Sequence, residues 1–331
     1  MTTRRRLLLA LGASVISAPF PSLAQQPPKI RRIGFLAARS RSTPANPDVY
    51  YDAFVKGMRD LGYVEGRNLV IEWRFADGKL ERLSELAAEL VRMKVEVIAT
   101  HGTQNAQAAQ RATSTIPIVI SAISDPVSAG VVKSLARPGG NITGLSVMTV
   151  DLSPKQIELL HAVIPRLSRV ALLMNSSNSG HPAILKSTQA AARSIGATVL
   201  PVEVRSAEEI ERGFATMARE RSDVLIVAVD TFLIGQRRQI ADLALKHRLP
   251  TMYGYREDVE AGGLMSYGQN LADFYRRAAT YVDKILKGAT PGELPIEQPI
   301  KIHLAINRKT AKALGLVISK ELLFRADEVI E

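Results

Sequence analysis

Short apolar runs alternate with amphipathic stretches along most of the chain, and this alternation restricts the possible fold more than any other feature. Residues 31–38 (RRIGFLAA), 68–75 (NLVIEWRF), 95–99, 116–122 (IPIVISA) and 142–147 read as strands. Residues 48–61, 79–93, 104–112 and 127–135 between them read as helices. In residues 79–93, Leu80, Leu83, Leu86, Ala87, Leu90 and Val91 share one stripe, the spacing of a helix laid on a sheet. A second series follows. Its strands are 169–174, 198–204, 224–229, 251–253, 264–267 and 300–306, and its helices are 154–164, 183–195, 207–219, 234–247 and 271–286, with a short one ending near 314. Local signals punctuate these elements. Asp48 suits a helix N-cap and Gly62 a helix stop. Ser153-Pro154 reads as a cap with Pro at the first helical position. Ser206 with Glu209 forms a capping box. Strands separated by helices pair in parallel through right-handed crossovers. Roughly ten such units exceed one doubly wound sheet, so two α/β lobes are expected.

An internal echo points to related lobes. Residues 97–100 (VIAT) lead through a helix to Pro117 and then Asp125. Residues 227–230 (VAVD) lead through a helix to Pro250 and then Asp258. Positions 117 to 125 and 250 to 258 are both eight apart, and each Asp is followed at a short interval by an Ala-Gly pair.

Residues 1–24 are expected to stand outside the fold. A basic start at 2–6, an apolar stretch at 7–18 and the small-x-small sequence Ser22-Leu23-Ala24 make a secretory signal peptide. The run 3–8 (TRRRLL) also fits a twin-arginine export signal. Its removal takes three Arg from a formal net charge of +11 and leaves +8. The later Lys and Arg are scattered on helix faces without interleaved aromatics, so no nucleic-acid partner is expected. The chain has no Cys, which excludes disulfides, thiol catalysis, iron–sulfur clusters and a cysteine-linked lipid anchor.

In open parallel sheets ligands bind beyond the carboxyl ends of the strands. After the first strand this rule selects Arg39, Ser40 and the polar loop to Asn46. After the strand at 95–99 it selects Thr103 and Gln104. Gly102-Thr103-Gln104 opens a helix whose free N–H groups favour an anion such as a carboxylate, with Thr103 alternatively a plain N-cap. The rule adds Ser121 and Asp125 after 116–122, and Asn175 and Ser176 in the sequence NSSNSGH at 175–181. Asp230 ends an apolar strand, where it suits an ammonium or hydroxyl group or the cap of the next helix. Asp125 reads as a helix cap or a ligand contact. Phe232, Tyr253 and Tyr255 suit the wall of a flat ligand or plain packing.

A catalytic constellation is not found. The five histidines show no zinc spacing. There is no Gly-x-Ser-x-Gly elbow, no Gly-x-Gly-x-x-Gly after the first strand and no phosphate-binding loop. No enzyme activity, metal or cofactor is expected.

Several segments carry a resemblance. They are residues 62–78 (GYVEGRNLVIEWRFADG), 124–144 (SDPVSAGVVKSLARPGGNITG), 260–268 (EAGGLMSYG), 275–299, 306–316 (INRKTAKALGL) and 322–331 (LLFRADEVIE). Across essentially the whole mature chain the sequence resembles the bacterial ABC transporter substrate-binding proteins, in the branch with tryptophan- and tyrosine-type binders and the type I periplasmic-binding fold. The resemblance implies two similar doubly wound lobes joined by three crossings, residues 29–147 with 268–299 and residues 148–267 with 300–331, closing on a ligand between them. It carries over Thr103, Gln104, Ser121, Asn175, Ser176, Asp230 and Tyr253 as contact positions. It further implies a periplasmic protein that delivers a small molecule to a membrane permease with a cytoplasmic ATPase, for which a monomer is the simplest expectation. The helix N-terminus at Thr103 for a carboxylate and Asp230 for an ammonium suit an amino acid or related carboxylate as the solute. A periplasmic sensor partnering a membrane receptor is the alternative, which genomic neighbours would discriminate.

Overall fold

The computed structural model describes residues 30–41, 43 and 48–331. The expected signal peptide and part of the polar loop after the first strand lie outside the described residues. The chain first builds β1 (Arg31–Ala37), α1 (Val49–Asp60), β2 (Leu69–Phe75), α2 (Leu83–Arg92), β3 (Ile98–Thr100), α3 (Thr103–Ala112), β4 (Ile118–Ser124) and β5 (Ile142–Val147). It continues with α4 (Thr149–Val163), β6 (Arg169–Asn175), α5 (His181–Ser194), β7 (Thr198–Val204), α6 (Ala207–Arg219), β8 (Val224–Val227), α7 (Thr231–Gly235), α8 (Arg237–Lys246), β9 (Thr251–Tyr253), α9 (Arg256–Glu260) and β10 (Met265–Gly268). It ends with α10 (Leu271–Leu286), β11 (His303–Asn307), α11 (Arg308–Leu314), α12 (Lys320–Arg325) and β12 (Glu328–Ile330).

The strands form two sheets. The first has the order β2-β1-β3-β4-β5 and is parallel throughout. The second has the order β12-β11-β10-β9-β8-β6-β7. Read from β7, it repeats the order of the first sheet and then adds two strands. The echo in the sequence therefore marks equivalent places, since β3 and β8 are each the third strand of their set. The second sheet departs from a purely parallel one at β10 and β11, which run antiparallel. β12 then adds in parallel to β11, where the sequence showed only a tail.

Alternation along each strand feeds both faces of each sheet. Ile33 and Phe35 pack with Tyr50, Phe54, Phe274 and Tyr275 on one side of β1. Leu36 packs with Leu83, Leu86, Leu90 and Ala106 on the other. In β6, Val170 and Leu172 join Leu160 and Ile184, while Ala171 and Leu173 join Ile210, Phe214 and Ile240. Each fully buried Leu, Ile or Phe contributes about 1.5–3 kcal/mol. Parallel strands covered on both faces must carry near-continuous apolar runs, which is what made them legible.

α10 follows a strand of the second sheet but packs on the first, against α1, β4 and β5. Gly57 in α1 makes this close approach possible, because a Cβ there would lie 2.6 Å from the Arg276 carbonyl oxygen of α10. The chain thus passes between the sheets three times, at Met148, at Gln269-Asn270 and between Glu297 and His303. The side chain of Gln269 ties these passages together. Its Oε1 accepts from Met148 N at 3.0 Å, and its Nε2 donates to Pro299 O.

Two local expectations change. Residues 127–135 form turns rather than a helix, since the chain follows Asp125, at φ +40°, into Pro126. α4 begins at Thr149, so Pro154 lies inside it rather than at its start. Proline lacks the N–H that would bond Val150 O. Ser187 Oγ of α5 donates to that carbonyl at 2.8 Å instead, which is how the helix tolerates the proline.

Candidate functional site

The carboxyl ends of the two sheets face each other, and side chains from both meet along the seam. Gln104 Nε2, at the start of α3, donates to Asp230 Oδ2 of the other lobe at 3.5 Å. Thr231 Oγ1 lies 3.4 Å from His101 Nδ1. Arg237 Nη2 donates to the Tyr50 hydroxyl at 3.3 Å, and Gln107 Nε2 to Ser179 Oγ at 3.3 Å. Gly102, at φ +87°, is the N-cap of α3 with no side-chain cap bond. A Cβ at Gly102 would lie 2.2 Å from Thr231 Oγ1, so the backbone of one lobe touches the side chain of the other.

Asp230 is the hub of this seam. It is 3% exposed. Oδ1 accepts from Phe232 N at 2.8 Å, Leu233 N at 3.2 Å and Asn175 Nδ2 at 3.1 Å. Oδ2 accepts from Asn178 Nδ2 at 2.8 Å besides Gln104. Five neutral N–H donors hold the carboxylate, and no ion pair joins it among the described residues. These five donors fill the lone pairs of the carboxylate. The loop that supplies Asn175 and Asn178 is itself fixed by His181, whose Nδ1 accepts from Asn175 N at 3.0 Å.

The other expected residues divide into three sets. Thr103, Gln104, Asn175, Asp230, Phe232 and Tyr255 lie along or beside the seam. Thr103 and Asp230 line a small space with His101, Asn178 and Tyr255. Ser40 and Phe232 line a larger interlobe cleft of about 530 Å³ with Arg39, Tyr50, Thr231 and Arg237. Tyr253 is buried in the second lobe's core and reaches only a minor cavity. Ser121, Asp125 and Ser176 are not brought to these walls. Ser121 is buried within β4, inside the register shift between Ile120 and Ile123, and Ser124 lines the small space instead. Asp125 accepts from Ser128 N at 3.0 Å and holds a turn. Ser176 is exposed.

Burial also sets the charges. Burial, then the Arg39 charge, lowers the His101 pKa to about 3, so His101 is a neutral ring beside Tyr275. Burial raises the Asp258 carboxyl to about 7, while Arg237, 3.5 Å away, opposes the shift. Burial likewise raises Glu257. Of the residues prominent here, the strand-end rule selects Arg39 and the sequence at 175–181 that contains Asn178, while Arg237 is not singled out from sequence. Thr231 adjoins the strand end at Asp230, where the same rule applies. Arg237 lies in mid-helix register and gives no such signal.

The profile of a family described as ABC transporter substrate binding protein matches residues 43–330. The chain belongs to that family. The family's task is binding, so the protein is a substrate-binding protein and not an enzyme, and its two-lobed fold is that of the type I periplasmic binding proteins. A relative named tyrosine-binding protein, from Clostridioides difficile strain R20291, is 27% identical over 264 residues, 80% of this chain and 75% of that protein. A Streptococcus pneumoniae ABC domain solved with L-Trp is 27% identical, with a TM-score of 0.83 over 91% of this chain and 99% of that one. A ligand-free, open structure of a Clostridium difficile substrate-binding protein with adhesive properties is 26% identical over the same shares, with a TM-score of 0.64. No helix among the described residues is long and apolar enough to cross a membrane, and no group of three or more His, Asp or Glu there is placed to hold a metal.

Proposed function

We propose that this substrate-binding protein is the extracytoplasmic solute-binding component of an ABC importer. It takes a small polar solute, an amino acid or related carboxylate, between lobes formed by residues 29–147 with 268–299 and by residues 148–267 with 300–331. It works as a monomer, closes about its hinge on the solute and delivers it to a membrane permease driven by a cytoplasmic ATPase. The observation that carries this reading is Asp230, a buried carboxylate held by neutral donors from both lobes. Its cleft position suits the ammonium of an amino acid, and the α3 N-terminus across the seam suits opposite charge. Closure is supported by the similarity pattern, which is higher to the L-Trp complex than to the open, ligand-free structure at nearly equal identity. The names of the relatives support tyrosine and tryptophan as first solutes to test.

Calorimetric titration with L-tyrosine, L-tryptophan and the sugar alcohol allitol tests the reading. An amino acid is expected to bind, and Asp230→Asn to weaken it by about 10- to 100-fold, the range of one charged hydrogen bond. Wild-type binding of allitol alone, or unchanged amino-acid binding by the Asn variant, rejects the amino-acid assignment.

A further inference from the structure

Glu257, near the start of α9, lines the large cleft together with Tyr50, Phe232, Ile234 and Arg237. It is 8% exposed. A carboxylate offers about four acceptor positions. Its own N–H and the Tyr50 hydroxyl answer two of them at most, and Oε2 is buried without a hydrogen bond. Arg237 is committed elsewhere. Its Nε donates to Ile234 O at 3.0 Å and lies 3.5 Å from Asp258 Oδ1, and its Nη2 donates to the Tyr50 hydroxyl. One guanidinium thus serves two buried carboxyls, and burial raises both above their ordinary values. Arg39 of the same cleft is answered by Asp48 at 2.8 Å, while Arg41 and Arg238 are exposed to water. A buried acceptor left open in this way calls for a donor from elsewhere.

We propose that Glu257 accepts an N–H or O–H group on the side chain of the bound amino acid, and so selects solutes whose side chain carries such a donor. This rests on the reading that an amino acid is held between the lobes, and it adds a preference among amino acids. Thr231 lines both the large cleft and the small space at Asp230, so the two spaces are neighbours. A solute held at Asp230 by its ammonium extends its side chain into the large cleft. Phe232 and Ile234 give that cleft apolar wall, and Glu257 gives it the open acceptor. The phenol of tyrosine, the indole N–H of tryptophan and the ammonium of lysine share the required chemistry. A side chain without a donor fills the cleft and leaves the carboxylate both dry and unpaired, which is the costly case.

The experiment compares amino acids with twins that lack the side-chain donor: L-tyrosine with L-phenylalanine, L-tryptophan with 3-benzothienyl-L-alanine, and L-lysine with L-norleucine. Affinities are measured by calorimetry on the intact protein. In at least one pair the donor-bearing member is expected to bind about tenfold or more tightly than its twin. Glu257→Leu removes the acceptor at nearly the same size and should abolish that preference. Glu257→Gln keeps an uncharged acceptor, should retain part of the preference, and carries the test if the Leu variant does not fold. The affinity of the twin should stay at the wild-type value in both variants, a result that a merely structural role for Glu257 would not give. A full preference in either folded variant overturns the proposal, and so does an equal loss of affinity for both members of a pair. Wild-type binding without preference in any pair overturns the Glu257 assignment and leaves amino-acid capture standing. Silence of every amino acid on folded protein overturns both.

Discussion

Asp258 is a carboxylate in surroundings that resist its charge. Buried behind Tyr253 and Tyr255 and beside Glu257, it titrates near pH 7 instead of at the ordinary 3.8. The sign follows from linkage. A raised acid means that the folded protein holds its proton more tightly than the unfolded chain. The stabilisation is complete below about 3.8 and is lost as pH rises to about 7. Glu257 adds to the loss in the same direction. Asp258→Asn keeps the shape and removes the titration. Urea midpoints at pH 5 and pH 7.5 should therefore differ less for the variant than for the wild type. Equal differences in the two proteins would show that Asp258 does not titrate in this window.

At the scale of elements, α4 shows how tertiary contacts repair a local fault. Pro154 leaves Val150 O without its helical donor, and Ser187 of α5 supplies one. Ser187→Ala should lower stability by about 1 kcal/mol, the value of one ordinary hydrogen bond, and should do so only because proline stands at 154. Pro154→Ala in the same background should recover the loss, since the α4 backbone can then bond itself. Chemical denaturation of the two variants checks this, and an unchanged Ser187→Ala midpoint refutes it. The α1–α10 pair makes a related point. Residues 271–286 read clearly as a helix from their own pattern, but Gly57, far away in sequence, permits the packing that places it on the first sheet.

For the whole molecule, the question is how the two sheets move relative to one another. Three passages connect them, and Gln269 bonds across to the other two. At the far side of the seam Gly102 meets Thr231. Gly102→Ala places a methyl group where Thr231 Oγ1 stands and strains a backbone at φ +87°. The variant should keep both lobes folded but hold them apart, with weaker solute binding. Small-angle scattering should show a larger radius of gyration in saturating solute than for the wild type. A variant that contracts as the wild type does would show that this contact does not govern closure.

The sequence by itself determined most of the strands and helices and the two-lobed α/β class, which are written in neighbours two, three or four residues apart, and its motif segments carried the resemblance to the family. The tertiary structure alone decided that β12 pairs in parallel with β11 at the edge of the second sheet. It also decided that Ser124 rather than Ser121 lines the seam, because a bulge re-aims β4. The meeting of Gln104 with Asp230, 126 residues apart, has no local signal at all. Periodicity records which face of an element is buried. Which faces of two lobes meet depends on how three connecting passages set the sheets against each other, and that is a property of the assembled chain.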